Sequence, residues 1–530
     1  MAKSTKTGTT LLRASLLGGT ALLLAACGNN ADDFDTARQI GPDPFLPEPA
    51  PTLIPDLKVA EVVGWQDGET PTVPEGLVVT AFAQDLANPR TVHTLPNGDV
   101  LVVQSKNPPG KPLNRPKDIV RGWIMGLAAG GGGEEPKETN LITLLRDTDR
   151  DGTVDERADL LTDLTSPFGV AWYDGTLYVA AADAILTYPY ELGQTTISAE
   201  PEILTPLPGG PINHHWTKDL ALSPDGRFLY ASVGSNSNAG ERGLEAEKGR
   251  AAIWQVDRET GASRVFASGL RNPNGLNIHP ETGELWTVVN ERDELGPNLV
   301  PDYMTSVQDG GFYGWPWSYY GQHVDERVHP ARPDLVATAL VPDYALSSHV
   351  AALGLAFTNG SAMPAAFQNG AFVGNRGSWN RNHFNGYKVI YIPFTDGRPA
   401  GMAQDVVTGF LDGDKTRGRP VGLAIDGTGA LLIADDAGNT VWRVAPADGT
   451  VIPEPIPSDR VIAEAAVPND AVPPPAPDGT APAPVEATPP PDAAADAPAG
   501  ADEGTPEPPQ TDIAPAVGPE DGAPSAPATE

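Results

Sequence analysis

The feature that most constrains the fold of this chain is a sequence pattern that occurs six times in its middle part. Each copy has a short opening segment and an apolar run, then a glycine-containing turn, then a second apolar run of β-forming residues. The turns lie at Asn97-Gly98, Asp174-Gly175, Asp225-Gly226, Thr282-Gly283, Asn369-Gly370 and Asp426-Gly427. Turns of this composition between β-rich runs are typical of β-hairpins.

No amphipathic helix is evident between the copies. Six hairpin-containing units without helices predict an all-β fold in which each unit forms one small antiparallel sheet, a six-bladed β-propeller. A double β-sandwich is the alternative architecture, but the regular repetition favours the propeller. We expect the propeller domain to occupy residues 71–447.

The N-terminus is typical of a bacterial lipoprotein. Residues 1–26 combine a basic start with an apolar run and end in Leu24-Ala25-Ala26, directly before Cys27, the chain's only cysteine. The alternatives are an ordinary signal peptide or a short membrane helix, although the apolar run is too short to span comfortably. We expect a signal peptide at 1–26, lipidation of Cys27, and a lipid-anchored protein of the cell envelope, facing the periplasm or the cell surface.

The regions that flank the propeller differ from it in composition. Residues 27–70 are rich in Pro, Asp and Asn and predict a tether. Residues 448–530 consist mainly of Pro, Ala and acidic residues, which cannot bury enough apolar surface to order the chain, so a disordered tail is expected. The net charge of -34 disfavours nucleic acid as a partner.

The openings of the six copies carry an unusual set of side chains. If each copy starts with the innermost strand of a blade, these openings line one end of the axial channel. They hold Arg90, Phe168, His215, Arg271 with Asn272, His349, and Arg417 with Arg419. Any one of these is typical of a solvated loop, but together they predict a site for a polyanionic ligand with a histidine base.

Two acidic segments are candidates for cation binding. The loop Asn290–Pro297 combines carboxylates with a Gly-Pro pair whose carbonyl groups are suitable calcium ligands. Asp147–Asp155 has the spacing that opens an EF-hand loop, but the twelfth position is Ala158, and a polar hairpin loop is the alternative. The G-x-S-x-G, H-E-x-x-H and nucleotide-binding motifs are absent from the sequence, which disfavours hydrolase, zinc protease and nicotinamide dehydrogenase functions.

Several segments together resemble the sorbosone dehydrogenase branch of the soluble glucose/sorbosone dehydrogenase family, which uses pyrroloquinoline quinone (PQQ). The similar segments are Gly210–Lys218, Pro224–Asn238, Gly269–Gly275, Trp286–Gly296, Gly311–Gly321, Gly377–Arg381 and Gly418–Gly422, within residues 75–446. The family is a six-bladed propeller with PQQ over the axial channel. The resemblance therefore implies the oxidation of a sugar aldehyde or aldose at C1, with PQQ and Ca²⁺ as cofactors.

The resemblance also implies roles for particular residues. His215 matches the catalytic base, and Arg271 with Asn272 matches the pair that contacts the quinone oxygens and stabilises charge there. The remaining implied residues are Gly296, Pro297 and Asp302 for the metal, and Arg376, Arg381 and Arg419 for the PQQ carboxylates.

The sequence departs from the family pattern at two positions. Ser235 stands where an aspartate near the catalytic histidine is expected, and Arg376 stands where histidine is common. A calcium-dependent sugar lactonase and a non-catalytic surface-binding propeller are the alternative functions. Arg and His at the blade openings favour an anionic cofactor over the carboxylate-rich axis that a lactonase needs.

Overall fold

The structure is a computed structural model that describes residues 34–51, 57–108 and 139–452. The predictions for the signal peptide, for Cys27 and for the tail beyond Ile452 therefore lie outside the described residues. All described residues belong to the first of two units, which ends at Asn469. None of the helices in the described ranges has the length and apolar character needed to cross a membrane.

The described residues before the first complete blade contribute one 3-10 helix and three strands. They are the helix Thr36–Gln39 and strands β1 (Ile40–Gly41), β2 (Glu61–Val62) and β3 (Leu77–Ala83).

The next three antiparallel sheets have four strands each, in sequence order. Blade 1 is β4 (Pro89–Thr94), β5 (Val100–Gln104), β6 (Leu141–Arg146) and β7 (Glu156–Leu161). Blade 2 is β8 (Val170–Tyr173), β9 (Thr176–Ala180), β10 (Ala184–Pro189) and β11 (Glu202–Pro206). Blade 3 is β12 (Leu220–Leu222), β13 (Phe228–Val233), β14 (Ala252–Asp257) and β15 (Ser263–Ser268), with a 3-10 helix at Leu244–Glu247.

The fourth and fifth sheets carry additional short elements. Blade 4 is β16 (Pro273–Ile278), β17 (Leu285–Val289), β18 (Pro301–Ser306) and β21 (Tyr344–Ser348); between its last two strands lie β19 (Ser318–Tyr319), β20 (His323–Val324) and α1 (Pro333–Val336). Blade 5 is β22 (Ala352–Phe357), β23 (Gly370–Asn375), β24 (Lys388–Thr395) and β26 (Gln404–Val407), with β25 (Arg398–Pro399) and a 3-10 helix at Ala365–Phe367.

The sixth blade joins the two ends of the domain. After the short strands β27 (Leu411–Asp412) and β28 (Lys415–Thr416), it consists of β29 (Pro420–Ile425), β30 (Leu431–Asp435) and β31 (Thr440–Pro446), with β3 as its outer strand. β3 pairs antiparallel with β31, so a strand from the start of the domain completes the last sheet and closes the ring. The predicted six-bladed β-propeller is confirmed.

The innermost strands β4, β8, β12, β16, β22 and β29 surround the axis, as the copies predicted. Apolar residues on the faces of adjacent blades form the core clusters; for example, Leu101 and Val103 of blade 1 pack in one cluster with Leu177 and Val179 of blade 2. Close approach near the axis requires glycine at position 422, where a Cβ would lie 2.6 Å from the carbonyl oxygen of Arg90.

Part of the range that was predicted to be a tether packs on the propeller. β1 pairs with β21, and β2 pairs in parallel with β28. Gln39 is fully buried, and Trp65 donates through Nε1 to the Asp435 carboxylate at 2.7 Å. The described residues of this range therefore belong to the propeller surface, because their polar groups find partners in blades that are distant in sequence.

Candidate functional site

His215 lies just before β12 and is held through one ring nitrogen. Its Nδ1 is 2.9 Å from both the carbonyl oxygen and the hydroxyl oxygen of Ser235. The Ser235 hydroxyl donates its hydrogen to the carbonyl oxygen of Ser237 at 2.7 Å. Both Ser235 oxygens are therefore acceptors toward the ring, so Nδ1 carries the hydrogen and Nε2 keeps a lone pair.

The pKa of His215 is consistent with a neutral ring that has one protonated nitrogen. Burial, and then the positive charges of Arg271 and His214, lower the pKa of His215 well below its usual value. A neutral imidazole with a lone pair on Nε2 is the form that accepts a proton from a substrate hydroxyl.

Arg271 and Asn272 lie beside His215 at the start of β16. A Cβ at position 234 would be 2.5 Å from both Asn272 Oδ1 and His215 Cβ, so Gly234 lets these two side chains approach each other. Asn272 Oδ1 is buried and has no hydrogen-bond partner among the residues that the structure describes. A buried acceptor in this condition is a candidate contact for a bound ligand.

The Arg271 guanidinium is held by groups from two loops. Its Nε donates to the Asn238 carbonyl at 3.0 Å, and its terminal nitrogens donate to the Glu291 carbonyl at 2.7 Å and to the Asp293 carboxylate at 3.3 Å. Only 4 % of Arg271 is exposed. These contacts fix a positive charge next to His215 and Asn272.

The loop after β17 brings the predicted calcium ligands close to blade 5. The Gly296 carbonyl is 3.3 Å from His349 Nε2, and the Pro297 carbonyl accepts from the Ser348 hydroxyl at 3.4 Å. The side-chain nitrogen of Asn380 lies 3.0 Å from His349 Nδ1. An amide NH₂ can only donate, so His349 carries its hydrogen on Nε2 and donates it to Gly296.

Asp302 lies in β18, and its carboxylate bonds to backbone. One oxygen accepts from the Glu291 amide at 2.8 Å and the other from the Ala351 amide at 2.7 Å. Burial raises the pKa of Asp302 to about 7, although these two amides partly oppose the shift. Asp302 therefore connects the loop after β17 to the start of β22.

Arg381 lies apart from the other arginines that were predicted to bind carboxylates. Its guanidinium donates to the Ser348 hydroxyl at 2.5 Å and to the Asn298 side-chain oxygen at 2.8 Å. It therefore lies on the Gly296–Asn298 side of the site.

A second cationic group, here called the Asp436 cluster, consists of Arg90, Arg376, Arg419 and Asp436. Arg90 and Arg376 both donate to Asp436 Oδ2, the second at 2.7 Å. The Arg419 guanidinium stacks 5.6 Å from the centre of the Tyr387 ring. Two guanidinium groups, from blades 1 and 5, thus share one carboxylate, and the third, from blade 6, lies close enough for Arg376 to repel it.

The electrostatics of the Asp436 cluster reflect this excess of positive charge. Burial, then repulsion by Arg376, lower the pKa of Arg419, and burial is also the main reason that the pKa of Arg90 falls to about 10. Burial alone would raise the pKa of Asp436, but Arg376 and Arg90 lower it below its usual value. The Nε atoms of Arg90 and Arg419 are buried without a hydrogen-bond partner within the described part of the chain.

The structure separates the predicted blade openings into two groups. The Phe168 and Trp216 rings meet edge to face, with their centres 6.1 Å apart. Trp216 follows His215 in the chain, so Phe168 lies at the site. Arg417 instead pairs with Glu69 at 3.2 Å and Asp412 at 3.1 Å, away from the Asp436 cluster. The prediction that Arg417 lines the axis is wrong, because the chain turns between β28 and β29.

Sequence reasoning missed three polar residues of the site. Asp436 follows β30, Asp293 lies in the loop after β17, and Asn380 lies within Gly377–Arg381. The apolar-to-acidic change at the end of β30 is a signal for Asp436. The partners of Asp436 and of Asn380 are too distant in the sequence for their contacts to be inferred.

Two further features are a cavity that reaches the site at Phe168 and an acidic loop outside it. A cavity of about 370 Å³ runs along the inner strands and is lined mainly by apolar residues, with Asp219 as a buried acid whose pKa is raised to about 6 by burial. Carboxylate oxygens of Asp147, Asp149 and Asp151 lie within 4.8 Å of one another, and Asp147 also accepts from the Gly152 amide at 2.8 Å. The local hydrogen bonds account for this acidic loop as a turn.

Comparisons with known proteins agree with the resemblance seen in the sequence. Residues 179–385 match the family model described as Glucose / Sorbosone dehydrogenase. The match supports the glucose/sorbosone dehydrogenase family. The matched range 179–385 contains His215, Arg271, Gly296 and Arg381. Residues 336–447 match a second model, described as TrAA12-like. This range contains Arg419 and Asp436.

Two relatives illustrate the range of similarity. An uncharacterized protein of Borreliella burgdorferi is 28% identical over 293 residues, covering 53% of this chain and 76% of that protein. The aldose sugar dehydrogenase YliI of Escherichia coli is 29% identical over 119 residues, which are 22% of this chain and 30% of that protein.

Solved structures resemble the propeller as a whole. The PQQ domain of a pyranose dehydrogenase from Coprinopsis cinerea, in its holo form, superposes with a TM-score of 0.56 at 19% identity, covering 73% of this chain and 100% of that domain. The calcium structure of a Trichoderma reesei family AA12 enzyme gives a TM-score of 0.56 at 18% identity, covering 74% of this chain and 99% of that one. At identities of 18–19%, these structural similarities show that the chain shares the fold of these proteins.

Proposed function

We propose that the chain is a PQQ- and calcium-dependent dehydrogenase that oxidises an aldose or a sugar aldehyde such as sorbosone at C1. The observation that carries this proposal is the state of His215, a neutral imidazole that is held at Nδ1 and lies next to Arg271 and Asn272. A base next to a fixed cation and a buried unpartnered acceptor suits proton removal from a substrate that lies against a bound cofactor.

The donor set fits a polycarboxylate cofactor. In the Asp436 cluster, Arg376 shares the Asp436 carboxylate with Arg90, and the Nε atom of Arg419 has no partner among the described residues. Guanidinium groups bind carboxylates in bidentate geometry. Arg376 and Arg419 would hold PQQ carboxylates from one side of the site and Arg381 from the other.

The side chains of this protein would act on the proton and on charge. PQQ, when bound, supplies a quinone that takes up a hydride, and with it two electrons, from the sugar. His215 Nε2 accepts the proton of the C1 hydroxyl, while Ser235 holds the ring at Nδ1. The sugar thus loses one hydride and one proton, and a cyclic aldose becomes a lactone. Arg271 stabilises negative charge next to this base.

Calcium fits the loop carbonyl groups better than it fits Asp302. The Gly296 and Pro297 oxygens each accept one long side-chain bond, at 3.3 and 3.4 Å, and the Gly296 oxygen also accepts the Leu299 amide at 3.5 Å. All of these bonds are long, and carbonyl oxygens of this kind are suitable calcium ligands. Both carboxylate oxygens of Asp302 already accept backbone amides. We therefore assign Gly296 and Pro297 as calcium ligands and Asp302 as a residue that holds their loop.

The proposed location is the bacterial cell envelope, with a membrane anchor through lipidated Cys27. Mass spectrometry of the N-terminal peptide of protein purified from bacterial membranes tests this anchor. An acylated peptide beginning at Cys27 is expected. An unmodified Cys27, or an N-terminus elsewhere, would contradict the lipoprotein assignment.

The activity itself is tested with the full-length chain in detergent. PQQ and Ca²⁺ are added, and dye reduction is followed with a panel of aldoses and sorbosone, with EDTA as the control for the metal. We expect reduction that requires both cofactors. Lactone hydrolysis without PQQ would support the lactonase alternative, and sugar binding without turnover would support the binding propeller.

A further inference from the structure

The Asp436 cluster contains one arginine more than the proposed cofactor contacts use. Arg376, Arg381 and Arg419 suffice for a tricarboxylate, and Arg271 lies with Asn272 near His215. Arg90 has no such assignment. It is largely buried, with 12% of its side chain exposed, and burying a guanidinium is unfavourable unless it meets an anion.

Arg90 extends from the Asp436 cluster toward the catalytic base. Its guanidinium carbon is 5.8 Å from the centre of the Phe168 ring and 6.0 Å from that of Trp216, the residue next to His215. These rings and Asp436 hold the guanidinium in place. Arg90 therefore joins the Asp436 cluster to the aromatic pair next to His215 in the chain.

Among the described residues, the charges that act on the base are those of Arg271, His214 and Arg250, and none of them is negative. Ser235, a neutral residue, orients His215. Asp436, the carboxylate paired with Arg90, also neutralises Arg376 and has one buried oxygen without a partner in the described residues. A guanidinium that shares its counter-ion keeps part of its capacity to bind a second anion.

We propose that the preferred substrate is an acidic sugar, a uronic acid, whose carboxylate is bound by Arg90 while His215 accepts the proton of its C1 hydroxyl. This inference rests on the proposed function. The reaction keeps the same balance: hydride from C1 to the quinone of PQQ, proton to His215, and the carboxylate unchanged. A planar guanidinium fork matches the two oxygens of a carboxylate.

The test compares neutral and acidic substrates on the PQQ- and calcium-loaded full chain. The substrates are glucose, glucuronate and glucose 6-phosphate, and kcat/KM is measured for each at two salt concentrations. We expect glucuronate to exceed glucose by about tenfold or more, as one charge-assisted contact allows, and the advantage to shrink at high salt. A preference for glucose over glucuronate, or for glucose 6-phosphate over glucuronate, would overturn the inference.

Two variants assign the preference to Arg90. Arg90→Gln should lower kcat/KM for glucuronate by about tenfold or more but change the value for glucose by less than about threefold. Arg417→Gln, which removes an arginine outside the site, should leave both values unchanged. PQQ affinity, measured by quenching of tryptophan fluorescence, should be retained in Arg90→Gln.

The outcomes separate this inference from the proposed function. Equal losses for both sugars in Arg90→Gln, with PQQ affinity reduced, would assign Arg90 to the cofactor and overturn the inference. If Arg90→Gln does not fold, the preference of the unmodified chain for glucuronate or glucose still decides. Turnover of glucose alone refutes only the acidic substrate, whereas failure of the unmodified chain to bind PQQ refutes the proposed function and the inference with it.

Discussion

Replacing Asp436 by asparagine tests whether this carboxylate is the counter-ion that holds the guanidinium groups of Arg90 and Arg376 together. The Asp436 side chain is 1% exposed and bonds directly to Arg90 and Arg376. Removing one partner of a buried ion pair costs about 3–5 kcal/mol, because it leaves buried charge uncompensated. In a propeller of this size 1 kcal/mol corresponds to about 1–2 °C, so we expect the Tm to fall by about 3–10 °C.

The assay is calorimetry of the cofactor-free chain in a buffer without multivalent anions, and Asp412→Asn is the matched control. Asp412 also pairs with an arginine, Arg417, but its side chain is 73% exposed, so its loss should cost less than about 1 kcal/mol. Citrate, a tricarboxylate, should raise the Tm of Asp436→Asn more than that of the unmodified chain, because it binds the positive charge that the substitution leaves uncompensated.

One result would refute this reasoning. If Asp436→Asn unfolds at the same temperature as Asp412→Asn, and citrate does not distinguish them, then the carboxylate is not the counter-ion that holds the arginines. The Asp436 cluster would then not be a preformed anion site.

Three further predictions concern the base and its loop. His215→Gln should lower kcat by about 100-fold or more while PQQ affinity stays unchanged, since only the proton acceptor is lost; turnover near that of the unmodified chain would contradict the base role. Ser235→Asp should raise the pKa of His215 and move the acidic limb of the kcat/KM profile upward by about one pH unit, and an unmoved limb would show that Ser235 does not face the ring in solution. Asp302→Asn should lower stability by about 1–3 kcal/mol, since the new NH₂ group faces one of the two amides at Glu291 and Ala351; an unchanged Tm would contradict these bonds. The pKa of Asp302 is raised to about 7 in the folded protein, so the folded state binds this proton more tightly than the unfolded state does. The stabilisation is therefore complete below the usual pKa of an aspartate and is lost as the pH rises through 7. Thermal unfolding measured from pH 4 to 8 should show this decrease in the unmodified chain and a smaller decrease in Asp302→Asn.

The blades could be predicted from the sequence because hairpins are local. Turns such as Asn97-Gly98 and Asp174-Gly175 need backbone conformations that few residues adopt, and the adjoining apolar runs have to pair across them. The order of segments within each copy also predicted the innermost strands and placed Arg90, His215 and Arg271 at one end of them. The residues that open each copy could therefore be named without any knowledge of how the blades meet.

The contacts between blades could not be predicted in this way. Arg90 and Asp436 are 346 residues apart, and Gln39 reaches Asn298 from a segment whose composition indicated a tether. Arg417 and Arg419 are separated by one residue, yet the first pairs with surface acids and the second stacks on Tyr387. Their directions depend on the turn between β28 and β29.

The sequence by itself determined which side chains the propeller carries at the openings of its blades. Only the tertiary structure decided which of them share a counter-ion, and that Ser235 orients His215 through a carbonyl and a hydroxyl oxygen in place of a carboxylate. The physical reason is range. Turn and strand preferences act between neighbours in the chain, whereas the charge and hydrogen bonds of the site depend on groups that closure of the ring brings together.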